Sequence, residues 1–187
     1  MPYQETVALI ALGANEPSEQ GAPQETLSAA LSLLSARGIT VQAVARWRAS
    51  PAWPAGSGPD YVNGAARVST TLSPAALLDA LHKVEAILGR TRDGARWAAR
   101  SCDLDLIACG AMVAPGARLW RECEAAPPET PRDTMILPHP QLHRRAFVLM
   151  PLADIAPDWR HPMLGKTVAE MLAALPEADR AAITLLN

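Results

Sequence analysis

The chain has 187 residues, 49% hydrophobic and 19% charged, with a formal net charge of −2, a balance that fits one globular domain over 1–187. Near-neutrality excludes a global basic field for nucleic acid or an anionic membrane, and no stretch approaches the roughly 18 to 20 apolar residues of a membrane span. Cys102, Cys109 and Cys123 are an odd set without Cys-x-x-Cys spacing, which argues against a disulfide framework or zinc site and for reduced thiols in the cytoplasm, as does the lack of a leader-like pattern in Met1 to Asn15.

Thr6 to Leu12 is a continuous apolar run ending in Gly13-Ala14-Asn15, which predicts a buried strand meeting a turn. From Pro23 to Arg37, Leu27, Ala30, Leu31 and Leu34 recur at helical spacing, and Gly38 marks the stop. Ile39 to Trp47 reads as a strand, and the Pro- and Gly-rich run from Ser50 to Pro59 as a long loop. Tyr61 to Thr71 predicts a strand with Val62, Ala66 and Val68 in the core. Ser73-Pro74 then opens a helix that carries Leu77, Leu78, Leu81, Val84, Ile87 and Leu88 to a stop at Gly89.

Thr91 to Ala99 is polar and is expected to be a mobile loop before a strand over Cys102 to Cys109. Gly110 to Thr134 is rich in Ala, Pro and charge, so a surface excursion at about 110–134 that adds little to the core is expected. Met135 to Leu137 and Phe147 to Pro151 are expected as short strands, and Thr167 to Leu175 as the final helix. The order β-α-β-β-α-β points to an α+β fold of the ferredoxin-like kind. It implies an antiparallel sheet with helices packed on one face, plus a C-terminal appendage.

The densest chemistry lies in Gly89-Arg90-Thr91-Arg92, Arg96-Trp97 and Arg100-Ser101-Cys102-Asp103-Leu104-Asp105-Leu106-Ile107, with four arginines in eleven residues. On a strand, Asp103 and Asp105 project from one face while Leu104 and Leu106 enter a core. Paired carboxylates are hard oxygen ligands for Mg²⁺, which typically takes one or two of them plus substrate phosphates. Guanidiniums are natural companions for those phosphates. An Asp-x-Asp by itself arises often by chance, but unpaired carboxylates on a well-buried strand are costly, and a bound cation resolves that cost. The stretch therefore reads as a metal–polyphosphate site.

Other residues are more ambiguous. Tyr61 and Phe147 stand out in a chain with two Tyr and one Phe, although core packing is the commoner role for each. Asn63, two residues beyond Tyr61, can present an amide to a polar heterocycle or simply sit at the surface. Glu85 is either a paired helix residue or a group facing the site. His139 is restricted by prolines on both sides, which suits a phosphate contact or a structural role. Gly165-Lys166-Thr167 imitates the end of a phosphate-binding loop, but the glycine required five residues earlier is Arg160.

These residues fall into ordered blocks. They are Ala11-Leu12-Gly13-Ala14-Asn15, Ser50-Pro51, Asp60-Tyr61-Val62-Asn63, and Leu81-His82 to Glu85. Gly89 to Asp105 follows, then Leu137-Pro138-His139-Pro140, Arg145-Ala146-Phe147-Val148-Leu149 and Pro151-Leu152. In order and spacing the blocks resemble the 6-hydroxymethyl-7,8-dihydropterin pyrophosphokinase family of folate biosynthesis, from about residue 6 to 110 and from 135 to 160. The resemblance implies transfer of the terminal pyrophosphate of ATP to the pterin hydroxymethyl oxygen, with release of AMP. It implies that Asp103 and Asp105 hold two Mg²⁺ ions and that Arg90 and Arg92 approach the phosphates. Tyr61 and Phe147 would sandwich the pterin, and Asn63 would read its edge, helped by the segment Ser50, Pro51 and Trp53. His82, Glu85, Arg92, Trp97, Arg100, Ile107, His139 and Arg145 would lie about ATP. Ala14 replaces the family's usual Ser, and Ala98-Ala99 its Gly-Pro. The alternative is a Mg-dependent nucleotidyltransferase or phosphohydrolase using the same Asp pair. An RNA-binding module fits poorly, because aromatics are few and acids occupy the central strand. A monomer acting on small molecules, with no nucleic acid or membrane partner, is expected.

Overall fold

Strand β1 (Thr6–Ala14) is apolar almost throughout because it runs through the middle of the sheet and is covered on both faces. It pairs antiparallel with β4 (Tyr61–Thr70) on one side and with β5 (Asp103–Cys109) on the other. Beyond β4 lie β2 (Thr40–Val44) and β3 (Arg48–Ser50), which pair with successive stretches of β4. A last strand, β6 (Thr184–Leu185), pairs with β3. The path is β5-β1-β4-β3-β6, with β2 beside β4. This computed structural model describes residues 4–52, 56, 58–90, 101–127, 130 and 134–186, and the expected loop Thr91 to Ala99 lies outside them.

Helices α1 (Pro23–Ser35) and α2 (Pro74–Ile87) cover one face. Leu27, Leu34, Leu77, Leu81 and Val84 pack there against Ile10, Leu12, Val68, Leu104 and Leu106. Ser73 caps α2, its Oγ accepting from the Ala76 N–H at 3.2 Å. Gly89 ends it at φ +86°, a left-handed conformation that favours glycine.

The opposite face corrects two expectations. Phe147 to Pro151 is not a strand but part of helix α4 (Ala146–Ile155), and helices lie on both faces. Val148, Leu149 and Leu152 of α4 pack on Leu9, Ala11, Ala65 and Ile107, together with Val168 and Met171 of α5 (Val168–Ala173). The C-terminal region thus builds a second core. The Lys166-Thr167 segment has a local job: Thr167 caps α5, its Oγ1 accepting from the Glu170 N–H at 3.1 Å while Glu170 accepts from the Thr167 N–H at 2.8 Å.

The expected strand at Met135 to Leu137 is only a bridge between Ala114 and Leu137. The 110–134 excursion also contributes more than expected. It forms α3 (Ala117–Ala125), whose Trp120 is buried, with Nε1 donating to the Pro138 carbonyl at 2.7 Å. Trp120 and Trp159 meet His161 edge-on, with centroids 5.2 and 5.6 Å away. A short helix α6 (Glu177–Ala181) precedes β6.

His161 is fully buried, and its Nδ1 accepts from the N–H groups of Met163 and Leu164. Burial first, then the neighbouring His143, pushes its pKa down from 6.5 to about 4. The unfolded chain therefore takes up the proton first as acid is added. The stability held by neutral His161 is complete above 6.5 and is lost as pH falls toward about 4. A loss on the order of 3 kcal/mol is expected across that window. Urea midpoints at pH 7 and pH 4.5 check it, and His161→Gln should flatten the slope; equal slopes would refute the assignment.

A second packing test concerns Gly64. A Cβ there would enter the Trp47 ring on the α1–α2 face. Gly64→Ala is expected to cost about 1–3 kcal/mol in chemical denaturation, and an unshifted midpoint would show that Trp47 moves freely.

Candidate active site

Strand pairing lays the functional residues in rows. Asp103 is opposite Gly13, Gly13 opposite Asn63, and Asn63 opposite Arg48. One row along, Asp105 faces Ala11, which faces Ala65. Because Leu104 and Leu106 enter the α1–α2 core, alternation sends Asp103 and Asp105 to the α4 side of the sheet. Both are half-buried. Gly13 has no side chain, so the floor between the acids and Asn63 is low. Sequence reasoning included Gly13 in a block without giving it a job; its glycine beside Asp103 becomes legible only from the register.

The acids are held from α2. Glu85 is 1% exposed, and its Oε1 accepts the Leu104 N–H of the sheet-edge strand at 2.7 Å. Arg90 donates through Nη1 to both Glu85 and Asp103. Glu85 is thus paired, and it braces the acid-bearing strand. His82 lies half-buried three residues earlier on α2. The thiol of Cys102 is pushed up to about 12, chiefly by burial, then by Glu85 and Asp103, with Arg90 opposing. It stays a neutral thiol at physiological pH and is no nucleophile.

Asn63 is 4% exposed. Its Nδ2 donates to Ser50 Oγ at 2.9 Å and to the Tyr61 carbonyl at 3.4 Å, which fixes the amide's orientation. Tyr61 is half-buried opposite Ser50, and Pro51 is exposed at the head of the loop. Phe147, 39% exposed, projects from the first turn of α4, with the Arg145 guanidinium carbon 5.8 Å from its ring centroid. The Ile107 carbonyl accepts the His139 N–H at 2.8 Å, and His139 Nδ1 accepts the Gln141 N–H at 3.2 Å. The structure therefore seats the His139 backbone against Ile107 of β5. Trp53, Arg92, Trp97 and Arg100 lie outside the described residues.

A model of the 7,8-dihydro-6-hydroxymethylpterin-pyrophosphokinase family matches residues 9–157. The chain belongs to that family. A pyrophosphokinase of Pseudomonas aeruginosa is 39% identical over 169 residues, covering 89% of this chain and 90% of the relative. One from Synechocystis is 36% identical over 172 residues, covering 91% and 77%. Both carry the name 2-amino-4-hydroxy-6-hydroxymethyldihydropteridine pyrophosphokinase. Among solved structures, wild-type Plasmodium falciparum HPPK-DHPS superposes with a TM-score of 0.64 at 12% identity over 91% of this chain. This chain spans 44% of that longer one, and the likeness establishes a shared fold.

Whether the residues suit Mg²⁺ is tested by their chemistry. Two oxygen donors stand on one strand face, and a guanidinium already contacts Asp103, so the position accommodates positive charge. Among the described residues no three His, Cys, Asp or Glu side chains gather as a metal centre. An ion here would complete its shell with phosphate and water oxygens, as Mg²⁺ does. The pair fits.

Proposed function

We propose that this chain carries out the reaction its family is named for, moving pyrophosphate from ATP to the hydroxymethyl group of 6-hydroxymethyl-7,8-dihydropterin and releasing AMP, in folate biosynthesis. The observation that carries this is the row Asp103–Gly13–Asn63, with Asp105 one row along, which sets the acids and an oriented amide on opposite sides of a low floor.

In this reading Asn63, its amide fixed by Ser50, recognises the pterin's polar edge, and Tyr61 and Phe147 stack on its faces. The segment at Ser50, Pro51 and Trp53 supplies further backbone contacts. Asp103 and Asp105 hold two Mg²⁺ ions. When bound, Mg²⁺ supplies charge neutralisation of the triphosphate. Arg90 and Arg92 stabilise charge that moves toward the AMP leaving group. His82, Trp97, Arg100, Ile107, His139 and Arg145 surround ATP, and Glu85 serves that side through Arg90 and the Leu104 N–H. Positioning dominates, because in-line displacement at phosphorus asks little covalent help of the protein.

The fold is a ferredoxin-like core, with β2 and β3 together taking the place of one strand, and the α4–β6 region is its C-terminal appendage. The chain acts as a single domain over 1–187, as a monomer in the cytoplasm, without nucleic acid. Free thiols at Cys102, Cys109 and Cys123 agree with that compartment, and among the described residues no helix is long and apolar enough to cross a membrane.

The deciding assay follows AMP from ATP and Mg²⁺ with and without the hydroxymethyl pterin. AMP that appears only with pterin supports the reading. Equal AMP without it would favour a nucleotidyltransferase or phosphohydrolase on the same Asp pair.

A further inference from the structure

Away from the acids, an ion pair between a buried arginine and a more exposed aspartate joins two elements that carry pterin-side groups. Arg48, 7% exposed, lies opposite Asn63 in the β3–β4 register. Its guanidinium forks onto Asp154 of α4, Nη1 donating to Oδ2 at 2.7 Å and Nη2 to Oδ1 at 3.0 Å. Nη1 also donates to the Arg46 carbonyl at 3.2 Å, and the Arg46 N–H donates to Asp154 Oδ2 at 3.3 Å. A partly exposed ion pair adds little to stability. A bidentate fork, by contrast, fixes distance and angle.

One end of this fork is β3, whose Ser50 receives the Asn63 amide. The other is α4, with Phe147 seven residues before Asp154, about 10 Å along the axis. Nothing in the pair touches Asp103, Glu85 or Arg90, which are linked among themselves on β5, within α2 and just after it.

We propose that Arg48 and Asp154 are positioning residues for the pterin half of the site, setting the gap between β3, whose Ser50 holds the Asn63 amide, and the Phe147 helix. The acid-bearing part of the ATP half, at Asp103, Glu85 and Arg90, is not tied to them, and Arg145, the ATP-side residue at the start of α4, lies at the far end of that helix from Asp154. This inference rests on the assignment of Asn63 and Phe147 to the pterin made above.

The test uses the full chain with Asp154→Asn and Arg48→Lys. Calorimetry follows a non-hydrolysable ATP analogue with Mg²⁺, then the hydroxymethyl pterin on the analogue-saturated protein. Asp154→Asn should weaken pterin binding roughly tenfold, and Arg48→Lys, which keeps the charge but loses the fork, by a smaller factor. The analogue's affinity should stay within about twofold in both. Unchanged pterin affinity in a folded variant, or equal loss of both ligands, overturns the proposal. If Asp154→Asn does not fold, Arg48→Lys decides by the same criteria. Wild-type protein that fails to bind the pterin overturns the functional assignment and this inference with it; wild-type binding matched by both variants overturns only the clamp.

Discussion

Asp103→Ala or Asp105→Ala is expected to lower pyrophosphate transfer by roughly a thousandfold or more while leaving the fold intact. Neither side chain belongs to the two apolar clusters, so removing the carboxylate opens no core cavity. The two variants should differ in one respect. Asp103→Ala takes one acceptor from Arg90, which keeps Glu85, whereas Asp105→Ala leaves the Arg90 bridge whole. Initial rates of AMP release, thermal melting and Mg²⁺-dependent binding of an ATP analogue measure the three consequences. Near-normal turnover in either folded variant would sink the assignment of the pair as metal ligands.

Glu85→Ala should be the most damaging single change to stability. It removes an acceptor from the buried Leu104 N–H and strips Arg90 of one of its two partners, leaving a buried donor unsatisfied and the guanidinium on Asp103 alone. A loss of about 3 kcal/mol or more is expected. Glu85→Gln keeps an oxygen for Leu104 but no charge for Arg90, so it should fall between. Urea unfolding ranks the three proteins. If the alanine and glutamine variants were equally stable, the backbone contact would carry nothing. Activity should fall in parallel, because the strand edge that loosens is the one bearing Asp103 and Asp105.

The parts of this molecule that local physics governs were readable in the chain. Ser73-Pro74 and Gly89 bracket α2 because capping and a left-handed stop need only their neighbours. The alternation Asp103-Leu104-Asp105-Leu106 gave both the strand and the facing of its acids. What depends on distant contacts was not readable. Phe147 to Pro151 is a solid apolar run with an internal proline, so it shows no helical period, and only burial against Leu9, Ala11 and Ala65 makes it a helix. The pieces β3 and β6 are three and two residues long and exist because partners lie beside them. In 110–134 a single buried side chain, Trp120, anchors α3, too little to register as periodicity.

The site divides in the same way. Composition drew attention to the arginines and aspartates, and a lone carboxylate within the apolar face of α2 signalled Glu85, without saying which partner it served. Arg48 and Asp154 escaped notice because they are 106 positions apart in sequence. An arginine in a short strand and an aspartate late in a helix look like ordinary surface residues until the fold joins them.

The bare backbone at Gly13 has a practical corollary. A methyl group added there would meet the Asn63 oxygen at 3.8 Å, an ordinary contact, so the sheet has room for it. It would nonetheless stand in the hollow where both reactants converge in the proposed reaction. Alanine at this one position should therefore give a protein that melts normally yet is plugged from below, a natural blank for separating ligand occupancy from folding.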